Sequence, residues 1–341
     1  MPEKLSSFKR ENLRTLVNPG KLNHPVSYQD PLILMGSCFT EHIGNHLLDL
    51  KFQANLNPFG IVYNPLAILE QLARLVNPTP FNCDDLVFNH GLWHSWLHHS
   101  RFSHPDANSL LDSLNKKLLE TSAYLKHSRL LILTFGTAHT YFLKADHRVV
   151  ANCHQMPADL FYSRLTEPEE LTERWISLLN TLSSDNPQLC ICLTVSPVRY
   201  FKEGPLGNQM SKSALFLFMG KLIKAFPDLF YFPSYEIFMD DLRDYRFYDT
   251  DLIHPGAAGV AYVWDRFVEA CIDPRSFPLM SEVASISKAV SHRPGKFLTE
   301  EHRQFVGQQI DRIKELQCRN PFLNFSKELL ILKEQLTSDQ P

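Results

Sequence analysis

The sequence predicts an α/β fold in which helices cover both faces of a mainly parallel sheet. Apolar runs of the kind that buried strands show recur at residues 32–35, 130–135 and 188–195. Between them, apolar residues repeat at three- and four-residue steps, as in amphipathic helices, at 65–76, 107–127 and 168–182. Strands that alternate with helices are typical of a parallel sheet joined through helical crossovers.

The other elements can be taken in chain order. Residues 1–30 are polar and interrupted by Pro and Gly, which predicts an irregular lead-in. The first strand ends at Gly36-Ser37, and helical spacing follows to about residue 50. Later helices are expected at 212–225, 255–271, 299–316 and 325–336, with a fourth strand at 229–232.

The composition is that of an ordinary globular protein, with 44% hydrophobic and 21% charged residues. A net charge of −3 gives no electrostatic reason to expect a nucleic-acid or membrane partner. No run approaches the roughly 18 apolar residues of a membrane span, and residues 1–10 lack the apolar stretch of a secretory signal. The seven cysteines lack framework spacing, which favours reduced thiols. We therefore expect a cytoplasmic protein, and its oligomeric state stays open.

Ser37 is the first candidate catalytic residue. A strand that ends in Gly36-Ser37 and feeds a helix exposes the turn at the carboxyl edge of the sheet, where the first free N–H groups of the helix also point. The Ser37 hydroxyl is therefore a candidate nucleophile, and the Ser37 N–H is a candidate oxyanion donor. Most Gly-Ser pairs are plain turns or helix caps, so the interpretation needs a partner elsewhere.

Asp251 and His254 supply that partner. An Asp and a His three residues apart, ahead of an Ala- and Gly-rich segment, can face each other across one loop. The carboxylate would then hold the tautomer of the imidazole while the other ring nitrogen faces a serine. Pro255 suits the first position of the following helix. The pattern predicts a triad of Ser37, His254 and Asp251.

These two motifs resemble the first and last sequence blocks of SGNH, or GDSL-type, hydrolases. Gly36-Ser37-Cys38-Phe39 resembles more particularly the GSCFA domain family, with Thr40 in place of its final alanine. Other segments that look like this family are Asn57-Pro58-Phe59-Gly60, Gly136-Thr137-Ala138, Asn152-Cys153-His154, Ser196-Pro197-Val198-Arg199 and Tyr231-Phe232-Pro233-Ser234-Tyr235-Glu236. The resemblance covers most of the chain. It implies a five-stranded, three-layer sandwich of the SGNH or flavodoxin-like kind, chemistry on an ester-linked acyl group, and no cofactor.

The resemblance also implies an oxyanion hole. SGNH hydrolases take a backbone N–H from a glycine in the second block, so Gly60 is the expected second donor, and a loop glycine with positive φ is the alternative. The asparagine that supplies their third donor is replaced here by Ala138. Thr137 or Asn152 would have to take its place. We favour Asn152, because an amide supplies the same N–H₂ group.

Three more residues are expected to line the substrate pocket. His99 and His154 are placed there by the resemblance alone, as is Asn152. Arg199 follows the third strand at the edge where parallel sheets bind ligands, and it is suited to hold an anionic or carbonyl group. A surface arginine in a loop is the alternative for Arg199.

The densest histidine cluster lies at residues 90–104. On a helix, His94 and His98 would share one face, as a metal site requires. However, Gly91 and the aromatic residues disfavour a helix, and no carboxylate or cysteine nearby completes a set of ligands. We therefore expect an aromatic-rich wall with surface histidines, and no metal.

The sequence thus predicts a serine hydrolase that acts on a small-molecule ester, for which a carbohydrate ester or another small O-acyl compound is an analogy from the fold. One alternative is a thiol enzyme that uses Cys38, at the same helix start, where a thiolate would be favoured. The other is a non-catalytic binding protein of this fold, which the missing asparagine supports.

The domain organisation follows from a proline-rich segment at 274–278. Every candidate catalytic residue precedes it. We therefore expect a catalytic domain over residues 1–275 and a helical extension over residues 276–341, which is not needed to form the site.

Overall fold

The structure, a computed structural model, describes residues 14–291 and 299–337. Its strands are β1 (Leu32–Gly36), β2 (Ala54–Leu56), β3 (Leu86–Asn89), β4 (Leu92–Ser95), β5 (Leu130–Phe135), β6 (His139–Leu143), β7 (Val149–Val150), β8 (Phe161–Leu165), β9 (Cys190–Val195) and β10 (Phe230–Tyr231). Its helices are α1 (Cys38–Asp49), α2 (Pro65–Val76), α3 (Ala107–His127), α4 (Pro168–Asp185), α5 (Gly204–Ala225), α6 (Ser234–Glu236), α7 (Ala257–Cys271), α8 (Phe277–Ser291), α9 (Glu300–Arg319) and α10 (Ser326–Thr337). A π-helical stretch, Ile237–Leu242, continues α6.

The lead-in is irregular from residue 14 to the start of β1, apart from a single bridge between Val26 and Ile272. Residues 1–13 of the expected lead-in lie outside the described part. Within the described ranges, no helix is both long enough and apolar enough to cross a membrane.

Five strands form one sheet in the order β10-β9-β5-β1-β2. Every pairing in it is parallel, and Leu34 of β1 aligns with Ile132 of β5 on one side and Leu56 of β2 on the other. When only these five strands are numbered in chain order, their arrangement in the sheet is the flavodoxin-like one. The order of strands reverses between β1 and β5, which makes this the switch point of the sheet. In open sheets of this kind, ligands bind at the switch point, outside the carboxyl ends of the strands.

Alternate residues of each strand point to opposite faces, and each face carries a layer of helices. Ile33 and Met35 of β1 belong to an apolar cluster with α2, α3, α4 and α5. Leu32 and Leu34 belong to a second cluster, formed with α1 and α7. The expected α/β, three-layer architecture is therefore confirmed.

The C-terminal helices α8, α9 and α10 extend the layer that contains α1 and α7. Val283 and Phe325 are fully buried in the same apolar cluster as Leu34. Lys51 and Glu328 form a 2.5 Å ion pair between the two parts, and both side chains are mostly buried. Helices at 299–316 and 325–336 are confirmed, but the two parts share one core, and the domain division at residue 275 stays a prediction.

Three helix starts differ from the sequence prediction. Helix α5 begins at Gly204 rather than near 212. The sequence does not indicate the earlier start, because Leu206 and Met210 in the first turns face solvent and form no inward apolar stripe. Helix α8 begins at Phe277, inside the segment 274–278 that was expected to separate two domains. Pro278 lies in its first turn, where the missing N–H of proline is tolerated. Gly256, not His254, is the N-cap of α7, so Pro255 precedes the helix.

Two small antiparallel sheets were not predicted. Strands β3 and β4 pair through a two-residue turn, His90-Gly91, in which both residues have positive φ, 48° and 79°. That is the backbone of a type I′ hairpin. The second sheet has the order β7-β6-β8. These strands are short and only partly buried, so their alternation does not stand out in the sequence.

Candidate active site

Ser37 lies in the turn between β1 and α1, at the switch point of the sheet. Gly36 permits the turn, because a Cβ there would lie 2.3 Å from the carbonyl oxygen of Thr134. Ser37 is the N-cap of α1, with φ −69° and ψ 175°, yet its side chain does not cap the helix. Its Oγ is buried and has no hydrogen-bond partner among the described residues. The Ser37 N–H donates a long 3.3 Å bond to the Thr134 carbonyl.

Asp251 and His254 form the expected pair. Asp251 Oδ2 lies 2.6 Å from His254 Nδ1, and Oδ1 accepts the main-chain N–H groups of Ile253 and His254 at 2.8 and 2.9 Å. The His254 backbone N–H, then its ring and the Ile253 N–H, lower the pKa of Asp251 to about 2. Because the ionised carboxylate accepts the Nδ1 proton, Nε2 is the nitrogen left for a serine.

The pair and Ser37 approach the same edge of the sheet without a direct hydrogen bond between them. The pKa of His42, on the second turn of α1, is lowered by burial and then by the nearby charges of His46 and His254. However, Ser37 is 1% exposed, whereas the side chain of His254 is 43% exposed. Since Ser37 Oγ is unpartnered in the described part of the chain, the bond to His254 that a triad needs is not made in this conformation.

The three further oxyanion donors expected from the sequence are engaged elsewhere. The Gly60 N–H donates to the Asn57 carbonyl at 2.7 Å, closing a turn. Gly60 has φ +88°, and a Cβ there would lie 2.2 Å from His99 Cβ, so glycine is required for close packing. The Thr137 hydroxyl bonds to Ser211 Oγ at 2.9 Å. Asn152 Nδ2 points to Ser100 Oγ at 3.4 Å.

A cleft of about 280 Å³ opens beside the Ser37 turn. Gly136 lies between Ser37 and the cleft. A Cβ added to Gly136 would lie 3.5 Å from Ser37 Cβ and 3.5 Å from the Cβ of Tyr63, which lines the cleft. Aromatic and polar side chains line the cleft, among them Tyr63, His99, Thr137, His139, Tyr141, Asn152, Tyr200 and Lys202. His139 Nε2 is buried and without a partner in the described ranges.

His154 lies behind this cleft, not in its lining. Its Nδ1 bonds to Ser100 Oγ at 3.0 Å and its Nε2 to the Ser95 carbonyl at 2.9 Å. Burial is the largest cause that lowers its pKa, to about 4. Because both ring nitrogens of the neutral His154 are hydrogen-bonded to protein atoms, the ring holds the segments behind the cleft together. It has no nitrogen left for a ligand, so its expected place in the pocket stays a prediction.

His94 and His98 lie on β4 and the turn that follows, as the argument against a helix indicates. Ring nitrogens of His94 bond to Ser103 Oγ at 2.5 Å and to the Asn89 carbonyl at 3.2 Å. His98 is 2% exposed and bonds to Ser95 Oγ at 2.8 Å. Both are therefore buried wall residues and not surface histidines as expected. In residues 14–291 and 299–337, no group of three His, Cys, Asp or Glu side chains could hold a metal ion.

Arg199 lies against the loop that carries the Asp–His pair. Its backbone N–H donates to the Ile253 carbonyl at 3.3 Å, and its guanidinium donates to the Tyr248 hydroxyl at 2.9 Å. The guanidinium also stacks 4.6 Å from the centre of the Tyr248 ring and 5.6 Å from that of Tyr245. Arg199 therefore positions this loop, and its role as a substrate contact stays a prediction.

Two residues near Ser37 were missed by the sequence analysis. Lys212 is 3% exposed and donates to the carbonyls of Gly136 and Ser196, at 2.8 and 2.6 Å, where β5 and β9 end. Burial lowers its pKa to about 7. Asn57 Oδ1 accepts the Gly36 N–H at 2.9 Å, whereas its Nδ2 has no partner in the described structure. Asn57 lies in a turn-rich segment and Lys212 follows a polar one. Neither segment has a hydrophobic periodicity that would predict a buried side chain.

Fold and site together define an α/β protein with a flavodoxin-like sheet, a serine at the switch point and an Asp–His pair nearby. Within that class, the chain belongs to the GSCFA family, whose model matches residues 31–267. The C-terminal domain of GSCFA domain proteins matches residues 283–338. The resemblance to the GSCFA domain family inferred from the motifs is thereby confirmed.

Solved structures offer a more distant likeness. The chain is similar to the crystal structure of a proposed acylhydrolase from Bacteroides fragilis NCTC 9343, at 9% sequence identity and a TM-score of 0.37. The match covers 73% of this chain and 89% of that one. Among curated proteins, none matches the chain.

Proposed function

We propose that this protein is a serine hydrolase that cleaves a small-molecule ester, with Ser37 as nucleophile, His254 as general base and Asp251 as the group that orients His254. The observation that carries the proposal is Ser37 Oγ, buried at the start of α1 and unpartnered in the described residues. An N-cap serine normally bonds to an N–H of the first helical turn. Leaving a buried hydroxyl unpaired costs about 1–3 kcal/mol, which is typical of a site kept free for a ligand or a reaction.

The proposed reaction has two steps. Ser37 Oγ bonds to the ester carbonyl carbon as His254 Nε2 takes its proton, and the alcohol then leaves with that proton. Water next attacks the acyl group on Ser37, gives a proton to His254, and releases the acid as the proton returns to Ser37. Asp251 keeps the Nδ1 proton in place throughout, and the N-terminus of α1 favours the negative charge that develops on the carbonyl oxygen.

The reaction requires the loop of Asp251 and His254 to approach Ser37. The two side chains are 46% and 43% exposed, and the carboxylate holds both the backbone and the ring of His254. The pair can therefore move as one unit without losing its internal geometry. We propose that substrate binding in the cleft brings this movement about.

The substrate class is proposed from the cleft. Its tyrosines, Tyr63, Tyr141 and Tyr200, offer ring faces beside hydroxyls, and Lys202 adds a positive charge. Such a lining suits a polar ring compound better than a long acyl chain, because few aliphatic side chains are available to cover one. An O-acylated carbohydrate or a similar small O-acyl compound is the class we propose.

The test is covalent labelling with a fluorophosphonate, which reacts with activated serines. The wild type and Cys38→Ala are expected to be labelled and to hydrolyse p-nitrophenyl acetate, whereas Ser37→Ala should do neither. Cys38→Ala is the matched control, since it changes the adjacent residue and leaves the serine. Equal labelling of Ser37→Ala and the wild type would refute the proposal.

A second candidate is a binding protein that keeps the fold without catalysis. It is favoured by the unmade bond between Ser37 and His254 and by the engaged N–H of Gly60. A screen of short-chain esters and acetylated sugars separates the two. Saturable binding of an acetylated sugar by folded wild-type protein, with no turnover of any ester, would favour the binding protein.

A further inference from the structure

Asn57 lies where β2 ends, beside β1, the strand that ends one residue before Ser37. It is 1% exposed. Its backbone N–H donates to the Leu34 carbonyl at 2.8 Å, and its carbonyl accepts bonds from Gly60 N and Arg101 Nη2, both at 2.7 Å. Its φ of +44° is uncommon for a residue with a side chain. Asn57 is thus held from three directions, and its position is fixed.

The side chain of Asn57 is anchored at one end only. Oδ1 accepts the N–H of Gly36 at 2.9 Å. That bond holds the oxygen end of the amide and limits the directions in which its N–H₂ group can point. Nδ2 is buried and finds no partner in residues 14–291 or 299–337. A buried and unpaired amide donor costs about 1–3 kcal/mol, so a ligand atom that accepts its hydrogen bond would recover free energy.

A second unpaired group is adjacent. Gly36, which anchors the amide, is bonded to Ser37, whose Oγ is also buried and unpartnered within the described chain. The carbonyl oxygen of an ester attacked by Ser37 must lie next to Oγ. A donor that is fixed to the preceding residue and otherwise unused is suited to that oxygen.

We propose that Asn57 Nδ2 is the side-chain donor of the oxyanion hole, in the role that Ala138 leaves vacant. This inference rests on the proposed function of Ser37. The amide binds the carbonyl oxygen most strongly when that oxygen becomes negative, so Asn57 stabilises the transition state and not the bound ester.

The other amide and hydroxyl candidates are less suited. Asn152 Nδ2 is directed to Ser100 and its Oδ1 accepts the N–H of His154 at 2.8 Å, so its amide serves the histidine wall. The Thr137 hydroxyl bonds to Ser211, which also accepts the N–H of Ala138 at 2.7 Å. Using either would break an existing bond, whereas using Asn57 Nδ2 breaks none.

The test compares Asn57→Asp and Asn57→Gly with the wild type. Asn57→Asp keeps an acceptor for the Gly36 N–H and removes the donor, and Asn57→Gly removes the side chain but suits the left-handed backbone. Loss of one oxyanion donor typically lowers kcat about 100- to 1000-fold, and we expect that loss in both variants with KM changed less than about threefold. Asn115→Asp is the control, because Asn115 makes only structural bonds to Phe81, at 2.7 and 3.0 Å. Asn115→Asp should keep kcat within about tenfold of the wild type.

The outcomes separate this inference from the proposed function. If Ser37→Ala is inactive while both Asn57 variants keep kcat near the wild-type value, the role of Asn57 is refuted and that of Ser37 stands. If Ser37→Ala is as active as the wild type, or if the wild type is inert to esters and fluorophosphonate, the proposed function of Ser37 and the role of Asn57 are both refuted. Should the Asn57 variants not fold, the side-chain amide NMR signal of Asn57 in the wild type decides: it should shift on phosphonylation of Ser37, and an unmoved signal would overturn the inference.

Discussion

One carboxylate holds both the backbone and the ring of His254: Asp251 Oδ1 lies 2.9 Å from the main-chain N of His254, and Oδ2 lies 2.6 Å from its Nδ1. These bonds lower the pKa of Asp251 to about 2, from an ordinary value of 3.8. A lowered pKa in the folded state means that the arrangement is favoured above pH 3.8 and is lost as the pH falls through about 2. At neutral pH the imidazole is therefore kept with its proton on Nδ1.

Asp251→Asn should lower kcat by about 100- to 10,000-fold, because the amide oxygen would accept the two backbone N–H groups and leave the N–H₂ group to donate to Nδ1, which favours the wrong tautomer. KM for p-nitrophenyl acetate should change little, since the ester does not bind to Asp251. Asp249→Asn is the control: Asp249 lies in the same loop, but its carboxylate bonds to Thr250 and not to the histidine ring. A kcat for Asp251→Asn within threefold of the control would argue against the triad.

Cys38 should be a slow thiol despite its place at the start of α1. Burial raises the pKa of its thiol above the ordinary value of 9.0, and the helix N–H groups and Lys212 lower it by less. Iodoacetamide at pH 8 is therefore expected to modify the exposed Cys83 and Cys318 before Cys38. Peptide mapping by mass spectrometry follows the order. Modification of Cys38 first, with loss of activity, would support the thiol alternative instead.

The layers of the fold could be predicted because the three central strands of the sheet, β1, β5 and β9, are buried almost throughout. Leu32, Leu34 and the other residues of β1 are covered on both faces, so the strand is a continuous apolar run that needs no partner to be recognised. Strands β3 and β4 are half exposed and interrupted by histidines, so their pattern is weak. Their pairing depends on the His90-Gly91 turn, whose positive φ values sequence periodicity does not indicate.

The candidate site was predictable where the chemistry is local. Asp251 and His254 are three residues apart, and the bonds between them need only one loop. The role of Gly60 depends on which acceptor its N–H meets, and the nearest one, the Asn57 carbonyl, belongs to its own turn. Lys212 could not be identified, because its buried state follows from the meeting of β5, β9 and α5 in space.

Phe325 should contribute more to stability than any exposed residue of α10. It is fully buried, and the Lys51 ammonium lies 5.3 Å from the centre of its ring. Phe325→Ala is expected to lower the free energy of unfolding by about 3–5 kcal/mol. Leu330→Ala on α10, which begins one residue after Phe325, changes a side chain that is 57% exposed and should alter the free energy of unfolding by less than about 0.5 kcal/mol. Urea unfolding measures both, and similar small losses would mean that the C-terminal helices are not part of the core.

The same variant tests whether the C-terminal helices form the site. Phe325→Ala protein that remains folded should still label with fluorophosphonate at Ser37, because every proposed catalytic residue precedes α8. Loss of labelling without loss of near-UV circular dichroism would show that these helices help to shape the site.

Lys212 should make stability rise with pH. Burial lowers its pKa to about 7 in the folded protein, against 10.5 in the open chain. Between these values the unfolded chain binds a proton that the folded protein does not, so the free energy of unfolding increases with pH, by at most about 1.4 kcal/mol per pH unit. The neutral amine still has two N–H bonds, one for each of the carbonyls of Gly136 and Ser196.

Urea unfolding from pH 6 to 9.5 isolates this effect as the difference between the wild type and Lys212→Met. Methionine cannot titrate, so the difference should be smallest near pH 6 and should grow in favour of the wild type above about pH 7. Lys224→Met, at an exposed lysine of the same helix, is the control and should keep the wild-type pH profile. Parallel curves for Lys212→Met and the wild type would mean that Lys212 stays charged inside the protein, held as an ammonium between the ends of β5 and β9.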